Sequence, residues 1–275
     1  MKPTTNTPDD DVQKTQRAVQ SVEVGGRLLL ALAEHPGAMS LKDLAAEAGL
    51  PPSRAHPYLV SYGKLGLVAQ DAQSGRYALG PAALQIGLTC LFQSDPLRAA
   101  GPVVDELAAS TAQAVALAVW GNFGPTVVRL VEARQPLHVA MRVGTVMAMF
   151  GTATGRAFIG ALPPAQVTEA LQGPLGASGL QAPPKGTKPD AEIASAAAEL
   201  RAHGVTRAVG RPIPGVNAFS APVRDHEGRP VLVITALGHQ DHFPPAWNSP
   251  MAAAVRAAAA EVSARLGYRA APDGR

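Results

Sequence analysis

The feature that most restricts the fold is the spacing of helix breakers between residues 36 and 75. Pro36-Gly37, Gly49, Pro51-Pro52, Gly66 and the run Asp71-Ala72-Gln73-Ser74-Gly75 cut this stretch into short pieces. Before the first break, Val24, Leu28, Leu29 and Leu32 share one helical face. Ser40, with Asp43 three residues later, makes a capping-box-like start whose carboxylate suits a helix N-terminus. Leu41, Leu44, Ala45 and Ala48 follow, and Gly49 is placed to end this second helix. Pro51-Pro52 can open a third helix, with Ala55, Leu59 and Tyr62 facing inward. After Gly66, Leu67–Gln70 and Arg76–Leu79 read as two strands joined by the 71–75 turn. Three short helices followed by a hairpin describe a winged helix-turn-helix.

Pro81 to about Phe92 predicts an apolar helix carrying Leu84, Ile86, Leu88 and Leu91, a connector of the kind that dimerises or packs on the next domain. Asp95-Pro96 starts another helix, to about Thr111. Beyond it, strands are predicted at Ala114–Trp120, Thr126–Glu132, Leu137–Arg142, Asn217–Val223 and Val231–Leu237. Helices are predicted at Gly155–Leu162, Pro164–Leu171, Asp190–His203 and Pro245–Leu266. Residues 172–189 are rich in Gly and Pro and read as a long loop, of the kind that forms lids or binding segments. Grouped strands with flanking helices imply an α+β fold around one antiparallel sheet. The organisation expected is a flexible tail (1–13), a winged helix (14–80), a linker helix (81–94) and a second domain (95–270).

Composition narrows the class. Charged residues are 16% of the chain, 24 basic against 21 acidic, and the net charge is +3. With 47% apolar types, this fits a globular protein and excludes a disordered chain or one that coats nucleic acid by charge alone. A reader of specific DNA needs only a local basic face. The single cysteine, Cys90, rules out a disulfide framework and suits a reducing cytoplasm. On its apolar helix it reads as a buried, inert thiol. The opening MKPTTNTPDDD has no apolar stretch and does not read as a secretory signal. No run is apolar enough to span a membrane.

On the third helix Ser53, Arg54, Pro57 and Ser61 look outward, flanked by His56 and Tyr58. Arg54 can bond a guanine edge through two N–H groups. Gln16, Arg17, Ser40, Lys64, Ser74 and Arg76 are candidates for phosphate contacts, which set register without reading sequence. Winged helices also serve as protein-interaction modules, so both readings stand on pattern alone. Catalytic motifs are lacking: there is no G-x-S-x-G elbow and no phosphate-binding loop. The run His239-Gln240-Asp241-His242 reads as a solvated polar turn, and neither a metal nor a cofactor is implied.

The segment from Leu29 to Gly87, with its wing G-R-Y-A-L-G at 75–80, resembles the N-terminal half of IclR-type bacterial transcriptional regulators. FGTATGRAFIGALP (150–163), the stretch 199–238 containing PGVNAFSAPV, and the last helix resemble the effector domain of that family. The resemblance covers about residues 15–267 and implies a GAF-like α/β sandwich as the second domain. It also implies a homodimer, or a dimer of dimers, on a palindromic double-stranded DNA operator, with a small organic acid as effector. Half-sites would lie about one helical turn, or a multiple, apart. Three departures stand out. Pro57 replaces an Arg common in relatives, on the outward face of the recognition helix. Ala208, Val209, Gly210 and Arg211 replace an acidic run. Ala218, Thr235 and Leu237 stand where relatives often carry Cys or Ser. Proline in a helix interior loses a backbone bond, so a protein with weakened DNA binding is the alternative reading.

For the effector, Met147, Met149, Phe150, Ala218, Phe219 and Leu237 are candidate apolar walls. Thr152, Thr154, Arg211, Asn217, Ser220 and Thr235 are candidate polar groups. Gly151, Thr152, Ala218 and Thr235 match the family motif positions. The helix starting near Gly155 could offer N–H groups to a carboxylate. Against these, Met147 and Met149 have strand spacing that also suits plain core, Thr235 could be satisfied locally, and Arg211 could be a solvated loop charge.

Overall fold

The computed structural model describes residues 18–133, 139, 141–172, 182–183 and 186–269. Contacts divide the chain into two units, 1–93 and 94–275.

The first unit holds α1 (Gln20–Glu34), α2 (Leu41–Glu47), α3 (Pro52–Lys64), the hairpin β1 (Val68–Gln70) and β2 (Tyr77–Leu79), and α4 (Pro81–Phe92). The breakers act as expected. Ser40 Oγ accepts the Asp43 N–H at 3.2 Å and opens α2, and Gly49 follows its end with φ +66°. Leu28, Leu44, Ala55 and Leu59 meet in one core with Val68 and Tyr77 of the hairpin. A fully buried leucine of this kind is worth about 1.5–3 kcal/mol. Met39 bridges Tyr77, tying the α1–α2 turn to the wing.

α4 buries none of its residues within the chain. Leu84, Ile86, Leu88, Leu91 and Phe92 are all exposed. Cys90 is exposed with them, which corrects the buried-thiol reading: an apolar helix is not a covered one until something packs on it.

The second unit begins with α5 (Pro96–Thr111), whose cap Asp95 accepts the N–H groups of Leu97 and Arg98 at 2.9 and 3.2 Å. A five-stranded antiparallel sheet follows in the order β4-β3-β7-β6-β5. Its strands are β3 (Ala114–Gly121), β4 (Gly124–Val131), β5 (Thr206–Val209), β6 (Val216–Arg224) and β7 (Pro230–His239). Between β4 and β5 lie α6 (Ala153–Ala161), α7 (Pro164–Gln172) and α8 (Pro189–His203), and α9 (Pro250–Arg265) ends the fold.

Alternation along the strands sorts the two faces. Leu117, Phe219, Val223, Leu232 and Ile234 pack against Val104 and Leu107 of α5 and Val255 and Val262 of α9. Ala118 and Val233 face the other way, toward Phe158 and Ile159 of α6. The result is a helix–sheet–helix sandwich.

Three expectations change. Residues 139, 141 and 142 are not strand, and the rest of the Leu137–Arg142 candidate lies outside the described residues save for these. β5 was absent from the strand candidates, being four residues long on the sheet edge. α9 starts at Pro250 rather than Pro245, because Ser249 Oγ accepts the Ala252 N–H and sets the start. The tail 1–13 and most of the 172–189 loop lie outside the described residues.

Two glycines of the FGTATGRAFIG stretch serve close approach. A Cβ on Gly155 would lie 2.2 Å from the Ala148 carbonyl oxygen, and one on Gly160 would lie 2.7 Å from the Ala196 carbonyl carbon of α8. Arg156 between them clamps α8, donating to Glu192 Oε2 at 2.9 Å, Glu199 Oε1 at 2.6 Å and Ser195 Oγ at 3.2 Å. These residues hold the N-terminus of α6 over the sheet.

Candidate functional site

On α3 the outward arc is as the helical spacing implies. Ser53, Arg54, His56, Pro57, Ser61 and Lys64 are exposed, opposite the buried Ala55 and Leu59. Neither Arg54 nor Lys64 meets a carboxylate within the described residues, so both charges are available to a polyanion. The helix runs unbroken through Pro57. Its lack of an N–H is tolerated because the Ser53 side of the turn faces solvent.

The structure redistributes several of the other DNA-contact candidates. Tyr58 is half-buried rather than flanking freely: it leans on α1, where a Cβ on Gly25 would come within 2.9 Å of Tyr58 Cδ1. Its neighbour Tyr62 is similarly packed, and burial, then the Tyr58 phenol, raise the Tyr62 pKa. The Ser40 hydroxyl donates to Asp43 Oδ2 at 2.7 Å and is occupied by the cap. The Ser61 hydroxyl donates back to the Pro57 carbonyl at 3.0 Å. Ser74 gives both its N–H and its hydroxyl to Asp71 Oδ2. Those bonds hold the Asp71 carboxyl below its ordinary range and put a negative charge at the wing tip. A phosphate at Ser74 is therefore disfavoured. Arg76 spends one donor on the Ala38 carbonyl at 3.0 Å and keeps the rest of its fork. Gln16 and Arg17 lie outside the described residues.

In the second unit a cavity of about 270 Å³ opens on the α6 side of the sheet. Its floor is Ala218 of β6 with Thr235 and Leu237 of β7, brought together by the register Ala218↔Leu237 and Ser220↔Thr235. Thr152 and Thr154 close one side from the start of α6. Met147 and its neighbours line another, and the exposed Arg211 stands with Pro212 and Ile213 at the edge.

The polar groups of the floor are linked. Thr235 Oγ1 lies 2.8 Å from Thr154 Oγ1 and 2.7 Å from Ser220 Oγ. Three hydroxyls carry three protons, and their two mutual bonds use two. One O–H is left to donate elsewhere, and Thr154 and Thr235 both line the cavity. Thr152 is different: its Oγ1 accepts the Gly155 N–H at 2.9 Å and donates to the Ala148 carbonyl at 2.7 Å. It shapes the wall and caps α6, which starts at Ala153 and not at Gly155. The Gly155 N–H is thus taken.

Of the effector candidates, Met147, Thr152, Thr154, Arg211, Ala218, Thr235 and Leu237 line this cavity. Met149, Gly151, Asn217 and Ser220 do not, contrary to expectation. Met149 and Phe150 are buried in the core beneath α6. Gly151 is exposed. Asn217 and Phe219 sit one residue out of phase with Ala218: Asn217 donates to the Phe243 carbonyl at 2.8 Å, and Phe219 stacks on Phe243. Ser220 has the right phase but lies below Thr235, reaching the cavity only through it. Val216 and Val139 were missed. Strand alternation from Ala218 would have found Val216; Val139 had no local signal. His239 and Asp241 pair at 3.3 Å in an exposed turn, and no cluster of three or more metal-ligating side chains occurs among the described residues.

Comparison with known proteins bears directly on this pairing of a winged helix with a cavity-bearing sandwich. The IclR helix-turn-helix domain matches residues 21–72, and the bacterial transcriptional regulator IclR C-terminal domain matches residues 89–264. The chain belongs to the IclR family of bacterial transcriptional regulators. It is similar to the glycerol operon regulatory protein of Streptomyces griseus, 31% identical over 91% of this chain and 98% of that protein. The acetate operon repressor of Salmonella typhimurium is 30% identical over 56% of this chain and 57% of its own length. The crystal structure of Pseudomonas aeruginosa HmgR superposes with a TM-score of 0.81 at 36% identity, covering 94% of this chain and all of that one. As an IclR-family member the chain is a DNA-binding transcriptional regulator. Among the described residues no helix is long and apolar enough to cross a membrane.

Proposed function

We propose that this IclR-family regulator controls a catabolic operon and that a small organic acid, aromatic or short-chain, is its effector. The observation that carries the reading is the cavity: apolar walls, the linked hydroxyls of Thr154 and Thr235, and Arg211 at its edge. Such a site receives an amphipathic anion, apolar body inward and carboxylate toward the arginine. The names of related operon regulators, including an acetate operon repressor, support control of catabolic genes and favour repression. DNA is contacted from α3, with Arg54 on a base edge and Lys64 on a phosphate, in a homodimer or dimer of dimers on a palindromic operator. The effector acts by favouring one arrangement of the assembly over another, with a matched change in operator affinity.

The test has two arms. A mobility shift with DNA upstream of its own gene should show salt-sensitive binding; none at low salt would overturn the DNA arm. A thermal-shift screen of aromatic and short-chain acids should show a rise in melting temperature with the effector. Replacing Arg211 with Glu should weaken that acid, and unchanged affinity would remove Arg211 from the site.

A further inference from the structure

A second cavity, about 400 Å³, lies where β6 outruns β5. β5 pairs with β6 only from Thr206↔Ser220 to Val209↔Asn217. Ala221 to Arg224 therefore have β7 on one side and, among the described residues, no strand on the other. α9 and the C-terminal end of α8 enclose the space left over, and among the described residues no acidic side chain lines it.

Two arginines do, of which Arg256 is exposed. The half-buried Arg224 gives one N–H to the Gly228 carbonyl at 2.8 Å, and Arg256 gives one to the His203 carbonyl at 2.6 Å. Each has five donors, so most of each fork is uncommitted to these bonds. Among the described residues neither reaches a carboxylate. The acids nearest Arg224 in sequence, Asp225 and Glu227, are both taken by Arg229, and the one nearest Arg256, Glu261, is taken by Arg265. Both arginines are also pre-set. Ser263 Oγ accepts the Arg224 N–H at 3.0 Å and pins the strand end to α9. The Arg256 stem lies over Gly204, where a Cβ would come within 2.8 Å of Arg256 Cδ. Tyr268 adds a phenol to the lining. Two unneutralised cations on one concave surface are what an oxyanion needs, because a planar fork bonds phosphoryl or carboxylate oxygens in pairs.

We infer that this cavity is a second ligand site, for a small dianionic oxyanion held by Arg224 and Arg256. It is independent of the cavity at Thr235 and of the effector reading. The experiment titrates inorganic phosphate and succinate separately into the full-length protein, against chloride at equal ionic strength, by thermal shift and calorimetry. The expected result is saturable binding of one or both, weakened about tenfold or more by Arg256→Gln or Arg224→Gln. Phosphate without succinate would identify the phosphoryl group as the ligand; succinate alone would identify the dicarboxylate. Arg211→Gln should leave phosphate binding, and the succinate binding that Arg256→Gln weakens, intact, which separates this site from the first. Two results would overturn the inference: no saturable binding of either anion to the unaltered protein below about 10 mM, or binding that survives the Arg256 change in a protein of unaltered circular dichroism.

Discussion

Thr235→Val tests whether the floor of the cavity beneath α6 is a hydroxyl chain under mutual restraint. Thr235 is 5% exposed, Thr154 3% and Ser220 0%, and Thr235 is the shared partner of the other two. Valine fills the same space and breaks both bonds. Thr154 lines the cavity, so water can replace its lost partner. Ser220 does not line it, and an unsatisfied buried hydroxyl costs about 1–3 kcal/mol. The extra buried methyl returns about 0.8 kcal/mol. The net expected loss is about 0.2–2.2 kcal/mol. Adding Ser220→Ala removes the stranded group, so the double variant should be more stable than Thr235→Val alone. Both tryptophans, Trp120 and Trp247, belong to the second unit, so urea unfolding followed by tryptophan fluorescence reports that unit selectively. A single variant as stable as the parent, or a double variant destabilised by the sum of the singles, would refute the chain as drawn.

Gly155→Ala should cost about 3 kcal/mol or more in the same assay, because its Cβ would fall 2.2 Å from a backbone oxygen that cannot rotate away. Retention of the parental midpoint would show that α6 is not held that closely. Arg54→Ala should cost about 1–3 kcal/mol of operator affinity and relax one base position, whereas Lys64→Ala should weaken all sequences alike and lower the salt slope by about one; competition binding across salt concentrations distinguishes the two. Asp225 is held below its ordinary pKa: burial opposes this, and the Arg229 and Glu227 hydrogen bonds outweigh it. A depressed carboxyl stabilises above its unfolded pKa, near 3.8, and loses that contribution as pH falls through the lower folded value. Asp225→Asn should therefore destabilise at pH 7 and converge with the parent in acid. An equal gap at both pH values would contradict the assignment.

Local signals explain why the first unit was legible. Pro51-Pro52, Gly49, Gly66 and the Ser40 cap act within a turn or two of where they stand, so their consequences can be read without knowing what packs against them. The same holds for Asp95 and for the strands around the sheet centre, where alternation is long enough to count. β5 failed this test because four residues on an edge carry no period. Side-chain roles were less legible than elements. Thr152, Thr235 and Ser220 look alike in sequence, yet one caps a helix, one links a chain of hydroxyls into the cavity, and one lies beneath it. Met147 and Met149 are two residues apart, and only the first lines the cavity.

By itself, the sequence determined the winged helix, the α+β class and the outward arc of α3, because those follow from spacing along the chain, while its resemblance to known motifs pointed to the family and the sandwich. Tertiary structure decided which hydroxyls are spent and which remain. It alone left α4 and Cys90 bare, set Arg211 at the edge of an apolar cavity, and placed Arg224 and Arg256 in the lining of another with no carboxylate among its described residues. Several of these are relations between residues distant in sequence, such as Thr154 with Thr235 or Arg224 with Arg256, created by strand register and helix packing, and no local period encodes them.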